Sequence, residues 1–279
     1  MKKVGFILLA VSLVFITGSC NKPLNSGDDG RLVVKVTDAP FDISNIESAT
    51  VTVNKVEIKK VGDCVSDGSP WVILSEDTVT LDLMDLRNGV TETLIDIEVP
   101  AGEYDMLRLY VDEAGLKVTE IEEPFSVKVP SGSQTGIKIH VDPFIEVSDR
   151  LTAELLLDID LSRSFVLRGN MRNNNGFIFK PVIRAANLST AGRIQGMVTD
   201  TSDVKIIEAE VWIEQDTVVA TTFADTLGYY AIIGIPAGTY SVSATKEGYD
   251  TVSVDDVIIK AGNRTIKNFK LTPLEQSGK

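Results

Sequence analysis

From Arg31 onward the apolar positions recur every second residue rather than every third or fourth, the spacing of half-buried β-strands. Leu32-Val33-Val34-Lys35-Val36 predicts a short strand, ended by the turn residues Asp38-Ala39-Pro40. Ala49, Val51 and Val53 alternate with Thr50, Thr52 and Asn54. The apolar set then slips by one to Val56 and Ile58, which predicts a bulge near Asn54-Lys55. Trp71–Leu74, Thr78–Leu83 and Leu94–Val99 continue the series, and Pro100-Ala101-Gly102 turns the chain into Tyr104–Val111. The longest run of one parity is Leu151, Ala153, Leu155, Leu157, Ile159 and Leu161. Thr152, Glu154, Asp158 and Asp160 between them are expected to face water. Phe177–Ile183 closes this region, with Pro181 suited to an edge or a bulge. No window sustains an amphipathic helix.

After a joint of small residues at 188–192 a second series begins: Arg193–Thr199, Ile207–Glu214, Val218–Phe223, Tyr229–Ile235, Tyr240–Thr245, Thr251–Ile259 and Thr265–Leu271. Seven short strands at this spacing predict an immunoglobulin-like sandwich. The fold class expected for the whole chain is therefore all-β, with two β-sandwich domains in tandem. One motif occurs in both halves. Val99-Pro100-Ala101-Gly102-Glu103-Tyr104 returns as Ile235-Pro236-Ala237-Gly238-Thr239-Tyr240, which points either to shared ancestry of two sandwiches or, the preferred reading, to one good hairpin turn used twice.

The amino terminus differs from both halves. Lys2 and Lys3 precede an apolar run, Val4–Phe15, and then Ile16-Thr17-Gly18-Ser19-Cys20. A basic start, an apolar run and small residues before a cut mark a secretory signal over 1–19, too short for a span of about 20 residues. The stretch at Cys20 resembles a bacterial lipobox of the relaxed kind found in Bacteroidota, with Thr17 where the usual leucine stands. The resemblance implies a covalent lipid on Cys20 and anchoring at the outer membrane; an outward face is expected, although the acidic pair Asp28-Asp29 comes late and follows no clean version of the export signal that some Bacteroidota lipoproteins carry after the cysteine. Residues 20–30, polar and rich in turn formers, are expected to be a lipidated tether. The expected domains are then 31–187, an all-β lipoprotein domain, and 193–272, the second sandwich, with a tail at 273–279.

Residues 193–272 resemble the carboxypeptidase regulatory-like domains, a transthyretin-like family. The matching stretches are Ile194–Asp200, Ala209–Ile213, Asp225–Tyr230, Ile235–Tyr240, Lys246–Tyr249 and Phe269–Leu271. Members are mostly appended modules without chemistry of their own, and their carbohydrate-binding-like fold implies a glycan as ligand. The first domain is similar to an uncharacterised lipoprotein family, domain of unknown function 4382. That likeness rests on Gly30-Arg31-Leu32, Thr37–Pro40, Val51–Val56, Val99–Tyr104 with Leu107–Leu109, and Phe179–Ile183.

Charge narrows the partners. With 40 Asp+Glu against 27 Lys+Arg and a net charge of −13, the chain disfavours nucleic acid and anionic bilayer surfaces. If Cys20 carries lipid, Cys64 is left without a partner, so an ordinary hydrophobic core must hold the fold. His140 is the single histidine, which excludes a two-histidine zinc site within one chain. His140-Val141-Asp142 could supply part of a triad, but no Gly-x-Ser-x-Gly elbow, phosphate-cradling glycine loop or Cys-x-x-Cys is present. The acidic pairs Asp158/Asp160, Glu122/Glu123 and Asp255/Asp256 read as solvated faces. Asp38, Asp42 and Asn45 in one loop, or Asp200, Ser202 and Asp203 in another, offer oxygen ligands for Ca²⁺; turn formation by Asx side chains explains both loops as well. Apart from that possible calcium and the lipid, no cofactor is expected.

Among the aromatics, Trp71, Tyr229, Tyr230 and Tyr249 are candidate ligand-binding platforms, and Trp71, beside Pro70 and a Gly/Ser-rich turn, is the best placed. Trp212 occupies the family's core-strand position and is expected to be buried. The expected function is a non-catalytic surface lipoprotein that binds glycan. The alternative is a structural or adhesive component of a surface protein assembly, working through exposed strand edges.

Overall fold

The computed structural model describes residues 29–39, 46–62, 69–119, 124–130, 132–170 and 173–274. Cys20, Asp42, Asn45, Cys64, Glu122 and Glu123 lie outside the described residues. As the alternation requires, the chain is all-β, in two sandwiches. In the first, one sheet has the order β12 (Ile183–Asn187), β9 (Thr152–Asp160), β1 (Asp29–Ala39), β5 (Glu92–Pro100). The other is built on two long strands, β2 (Ile46–Lys60) and β6 (Gly102–Val118). Around them pair β3 (Trp71–Ser75), β4 (Val79–Asp82), β7 (Phe125–Lys128) and β8 (Ile137–Val147). β10 (Phe165–Asn170) and β11 (Asn173–Phe179) extend the sheet beyond β7. The β2–β6 register slips between Val53 and Lys55, where the shift of apolar parity places a bulge. Leu32, Val34, Val36, Val56, Ile58, Leu107, Leu109 and Leu155 face inward and form the core between the two sheets.

In the second sandwich, β13 (Ala191–Asp200) pairs with β16 (Tyr229–Pro236), β19 (Arg264–Ile266) and β20 (Phe269–Leu271). The facing sheet has the order β15 (Val218–Phe223), β14 (Glu210–Glu214), β17 (Gly238–Thr245), β18 (Val252–Ile259). The seventh expected strand is split in two. β19 pairs with Arg193–Gln195 and β20 with Val198–Asp200. Between them the Lys267 carbonyl comes so close to Gly196 that a Cβ there would overlap it.

The repeated motif is not a hairpin. β5 and β6 lie in different sheets, and so do β16 and β17, so Pro-Ala-Gly-x-Tyr carries the chain across the sandwich each time. In both corners the tyrosine hydroxyl donates to the proline carbonyl four residues upstream: Tyr104 to Pro100 at 2.6 Å and Tyr240 to Pro236 at 2.9 Å. Strand for strand, the sandwiches share one plan. β1, β5 and β9 correspond to β13, β16 and β19/β20, with β1–β9 and β13–β19 both parallel. β4, β2, β6 and β8 correspond to β15, β14, β17 and β18. A second sequence echo marks the first strands, Gly30-Arg31-Leu32 and Gly192-Arg193-Ile194. At each glycine a Cβ would overlap a backbone carbonyl, of Ser148 or of Lys260. Arg31 N–H donates to Leu151 O and Arg193 N–H to Asn263 O, just ahead of the parallel partner strand in both cases.

The second sandwich packs on the outer face of β9 and β12, which corrects the expectation that Asp158 faces water. Asp158 is buried, as is Leu156 beside it on the same face. Its Oδ2 accepts from Arg184 Nη2 at 2.7 Å and Nε at 3.2 Å. The same guanidinium donates to the Ile233 and Gly234 carbonyls of the second sandwich. Gly234 has φ +68°, and a Cβ there would meet Leu156 and Ala186. Beside it, Thr37 lies 3.0 and 2.8 Å from the carbonyls of Leu86 and Val90, bracing the turn from which Asn88 accepts from the Thr222 hydroxyl at 3.2 Å. Two domains meeting through a buried ion pair and backbone carbonyls are fixed in register by directional bonds, not by apolar area alone.

Candidate functional site

The outer face of the β2–β6 sheet gathers charged and aromatic side chains from three neighbouring strands. Beyond the bulge, Val56 and Ile58 point to the core, so Lys55, Glu57 and Lys59 share the opposite face. Arg108 pairs with Glu57, Tyr110 with Lys55 and Trp71 with Lys59 across neighbouring strands. At the centre, Glu57 is 7% exposed. Its carboxylate receives Lys55 Nζ at 2.8 Å, the Tyr110 hydroxyl at 3.0 Å and Arg108 Nη1 at 3.2 Å. Burial pushes the Glu57 carboxyl up, but Lys55, Tyr110 and Arg108 outweigh it and hold the group below the usual glutamate range. Glu57 is thus an anion that fixes two cations and a phenol.

Trp71 completes the arrangement. The Arg108 guanidinium carbon lies 3.8 Å from the indole centroid, a cation–π stack of about 1–2 kcal/mol when partly desolvated. Lys55 Nζ lies 5.4 Å from the Tyr110 ring centroid. The Arg108 side chain is 19% exposed, and its Nε is buried without an acceptor among the described residues. Trp71, half-buried on strand β3, therefore offers part of its ring to solvent beside a guanidinium held in place on the other side. Ile73, 51% exposed, extends the apolar surface along β3. Such a face can stack on the apolar side of a sugar ring and hydrogen-bond its hydroxyls.

The other sequence candidates are not gathered here. Tyr230 is fully buried, and its hydroxyl donates to the Lys267 carbonyl at 2.7 Å. It is a core residue of the second sandwich, because its side chain points between the sheets. Tyr229 begins β16, and Tyr249 lies in the turn from β17 to β18, bridged to Pro273; both are half-buried. Asp38 is buried, with Oδ1 accepting from Leu161 N–H at 3.1 Å. Asp200 serves its own turn, accepting from the N–H groups of Ser202 and Val204 at 2.8 and 2.9 Å. Among the described residues no group of three or more His, Cys, Asp or Glu could hold a metal ion. His140 is exposed on β8, opposite Met106. Asp160 caps a single helical turn by accepting from Arg163 N–H, and Asp255 accepts from Ser241 at 2.6 Å.

Two surface features escaped the sequence reading. The Lys55, Glu57, Arg108 and Tyr110 set was visible only as alternate positions on two long strands, and their cross-strand register is needed to join them. Trp212 is not buried: Val211 and Ile213 take the core parity of β14, leaving the indole half-exposed on the outer face opposite Thr221 and Ser243.

Comparison with known proteins gives two family matches. The family model "Domain of unknown function (DUF4382)" covers residues 29–181, more than half of the chain, and "Carboxypeptidase regulatory-like domain" covers 193–272. Neither description names a catalytic activity. No curated protein matches. Solved structures with similar strands include the Bacillus anthracis TIE protein, at 14% identity and a TM-score of 0.26, covering 88% of this chain and 34% of that one. The shaft pilin SpaA from Lactobacillus rhamnosus GG gives 10% identity and a TM-score of 0.28, covering 90% of this chain and 100% of that one. GBS52, the minor pilin of Streptococcus agalactiae, gives 9% identity and a TM-score of 0.26, with coverage of 90% and 98%. Superpositions at these scores carry no functional argument. The two family matches do assign the chain: it belongs to the family of domain of unknown function 4382 and bears a carboxypeptidase regulatory-like domain behind it.

Proposed function

We propose that this chain is a non-catalytic carbohydrate-binding module, displayed on the cell surface by a lipid on Cys20, with the face around Trp71 as its ligand platform. The observation that carries the reading is the constellation of Trp71, Arg108, Glu57 and Tyr110. It is an aromatic surface whose polar neighbours are fixed by a buried carboxylate before any ligand arrives. Preorganisation of this kind lowers the entropy lost on binding. The lipobox-like sequence supports the anchoring, and among the described residues no helix is long and apolar enough to cross a membrane. Metabolic labelling with a fatty-acid analogue, with Cys20→Ala as control, tests the lipid: labelling that survives the substitution refutes it.

The ligand test is isothermal titration against starch, xylan, galactan, mucin O-glycans and polygalacturonate. One class is expected to bind, and Trp71→Ala is expected to weaken it about tenfold or more, the loss of one stacking contact of about 1–3 kcal/mol. A flat panel refutes the reading. A second reading, a structural component of a surface assembly, is supported by the Arg184 contacts that bond the two sandwiches to each other. Crosslinking on intact cells that recovers a stoichiometric protein partner, together with a flat glycan panel, would decide for it.

A further inference from the structure

Basic side chains cluster around Trp71 on an acidic chain. Lys55, Lys59, Arg108 and Lys138 lie together on this face, with Glu57 and Asp105 among them and Glu76 at the rim 3.7 Å from Lys55. Four cations thus gather within one cluster around Trp71 on a chain whose net charge is −13, three of them paired with carboxylates. Lys138 pairs across the sheet with Arg108, is exposed and has no ion pair among the described residues. Glu57 is turned inward on its two cations, so the outward charge beside the indole comes from exposed Lys138 and from the small exposed part of Arg108. We infer that the ligand of this face is an acidic polysaccharide, its carboxylates meeting Lys138 and Arg108 while a ring face packs on Trp71.

The inference rests on the carbohydrate-binding reading and narrows it. Arginine stacked on an aromatic ring is a rigid, permanently charged donor suited to carboxylate groups, and a lysine beside it adds a mobile point charge. A neutral glycan would leave these cations facing sugar hydroxyls alone. A simple polyanion would ignore the indole. Only a polymer with both an apolar ring face and fixed negative charge uses the whole arrangement.

Four probes separate the possibilities: polygalacturonate, the same polymer fully methyl-esterified, neutral galactan and poly-glutamate, each titrated into the full-length protein at 50 and 500 mM NaCl. Polygalacturonate is expected to bind, at least tenfold more tightly than its ester, with affinity falling about tenfold at the higher salt as exposed charges are screened. Lys138→Ala, on an exposed position, is expected to weaken polygalacturonate about two- to fivefold, the scale of one exposed ion pair, with the melting temperature unchanged. Trp71→Ala is expected to weaken polygalacturonate and leave poly-glutamate unaffected. Equal binding of the ester, or of galactan alone, overturns the acidic ligand and leaves carbohydrate binding standing. Poly-glutamate binding as tightly as polygalacturonate, with no effect of Trp71→Ala, overturns it in favour of charge alone. No binding to any of these three carbohydrates overturns the acidic ligand, and a flat result with starch, xylan and mucin O-glycans as well removes the carbohydrate-binding reading too.

Discussion

Asp38→Asn is the substitution whose consequence can be worked through most fully. Asp38 is 3% exposed, with Oδ1 accepting from Leu161 N–H and Oδ2 without a partner among the described residues. Burial, opposed by the Leu161 N–H and Arg87 and reinforced by Asp158 and Asp160, pushes its carboxyl up to about 9 from 3.8. The sign follows directly. Below pH 3.8 folded and unfolded chains both hold the proton and Asp38 contributes no pH dependence. From there to about 9 the folded chain keeps a proton the unfolded chain has released, so stability falls by about 1.4 kcal/mol per pH unit; above 9 it levels off. At pH 7 the accumulated loss is about 4 kcal/mol. Asparagine has no proton to lose, but its amide brings donors with no waiting partner, an offset of about 1–3 kcal/mol. The two curves should therefore cross near pH 5, with the variant more stable above it by a margin that widens to pH 8. Urea denaturation of both proteins at pH 5, 6, 7 and 8 measures this, and taking the difference cancels the titrating groups that do not interact with Asp38. Parallel curves would refute the reasoning, because they mean Asp38 is ionised in the native state. If the parallel behaviour required calcium and vanished with a chelator, Asp38 would be a cation ligand after all.

Three further outcomes follow from the packing. Arg184→Ala strands Asp158 in a buried site and is expected to destabilise by about 3–5 kcal/mol, with one calorimetric transition becoming two as the sandwiches uncouple; a single unshifted transition would show that the seam does not couple them. Gly234→Val should split the transition in the same way without touching either core, since its side chain would collide with Leu156 and Ala186 at a positive φ. Tyr104→Phe and Tyr240→Phe each remove one hydroxyl donated to a proline carbonyl. They should cost similar amounts, about 1 kcal/mol apiece by urea denaturation; a large asymmetry would mean that the two corners are not equivalent.

Alternation alone placed most strands, the bulge at Asn54-Lys55 and the inward sets Val51/Val53 and Val56/Ile58, because one side of each of these strands meets the core and the other meets solvent. It failed at Asp158 for the same reason. The polar side of β9 is covered by a second domain, and a strand's pattern records polarity, not what lies beyond it. The Pro-Ala-Gly-x-Tyr corner was legible as a turn but not as a crossing between sheets, since turn chemistry fixes the bend and not the sheet that receives the next strand. The Trp71 face was half legible. The indole stood out beside its turn, whereas Glu57 looked like one surface acid among many until register set it between Lys55 and Arg108. Trp212 was misplaced because a family position was preferred to the plain parity of Val211 and Ile213.

The shared plan of the sandwiches bears on how the chain reaches its native state. β1 and β13 begin with the same Gly-Arg-aliphatic stretch and pair, from the same end, with a strand that finishes in the same Pro-Ala-Gly-x-Tyr corner. Each first strand thus has two geometrically plausible partners, β5 and β16, in one molecule. In any process that releases the chain amino terminus first, β5 becomes available to β1 before β13 follows, and order of arrival favours the native pairing. Refolding from denaturant removes that order. A chain released all at once is exposed to exchange of first strands between its halves, or between two molecules, and such swapped forms are the misfolded products this architecture invites.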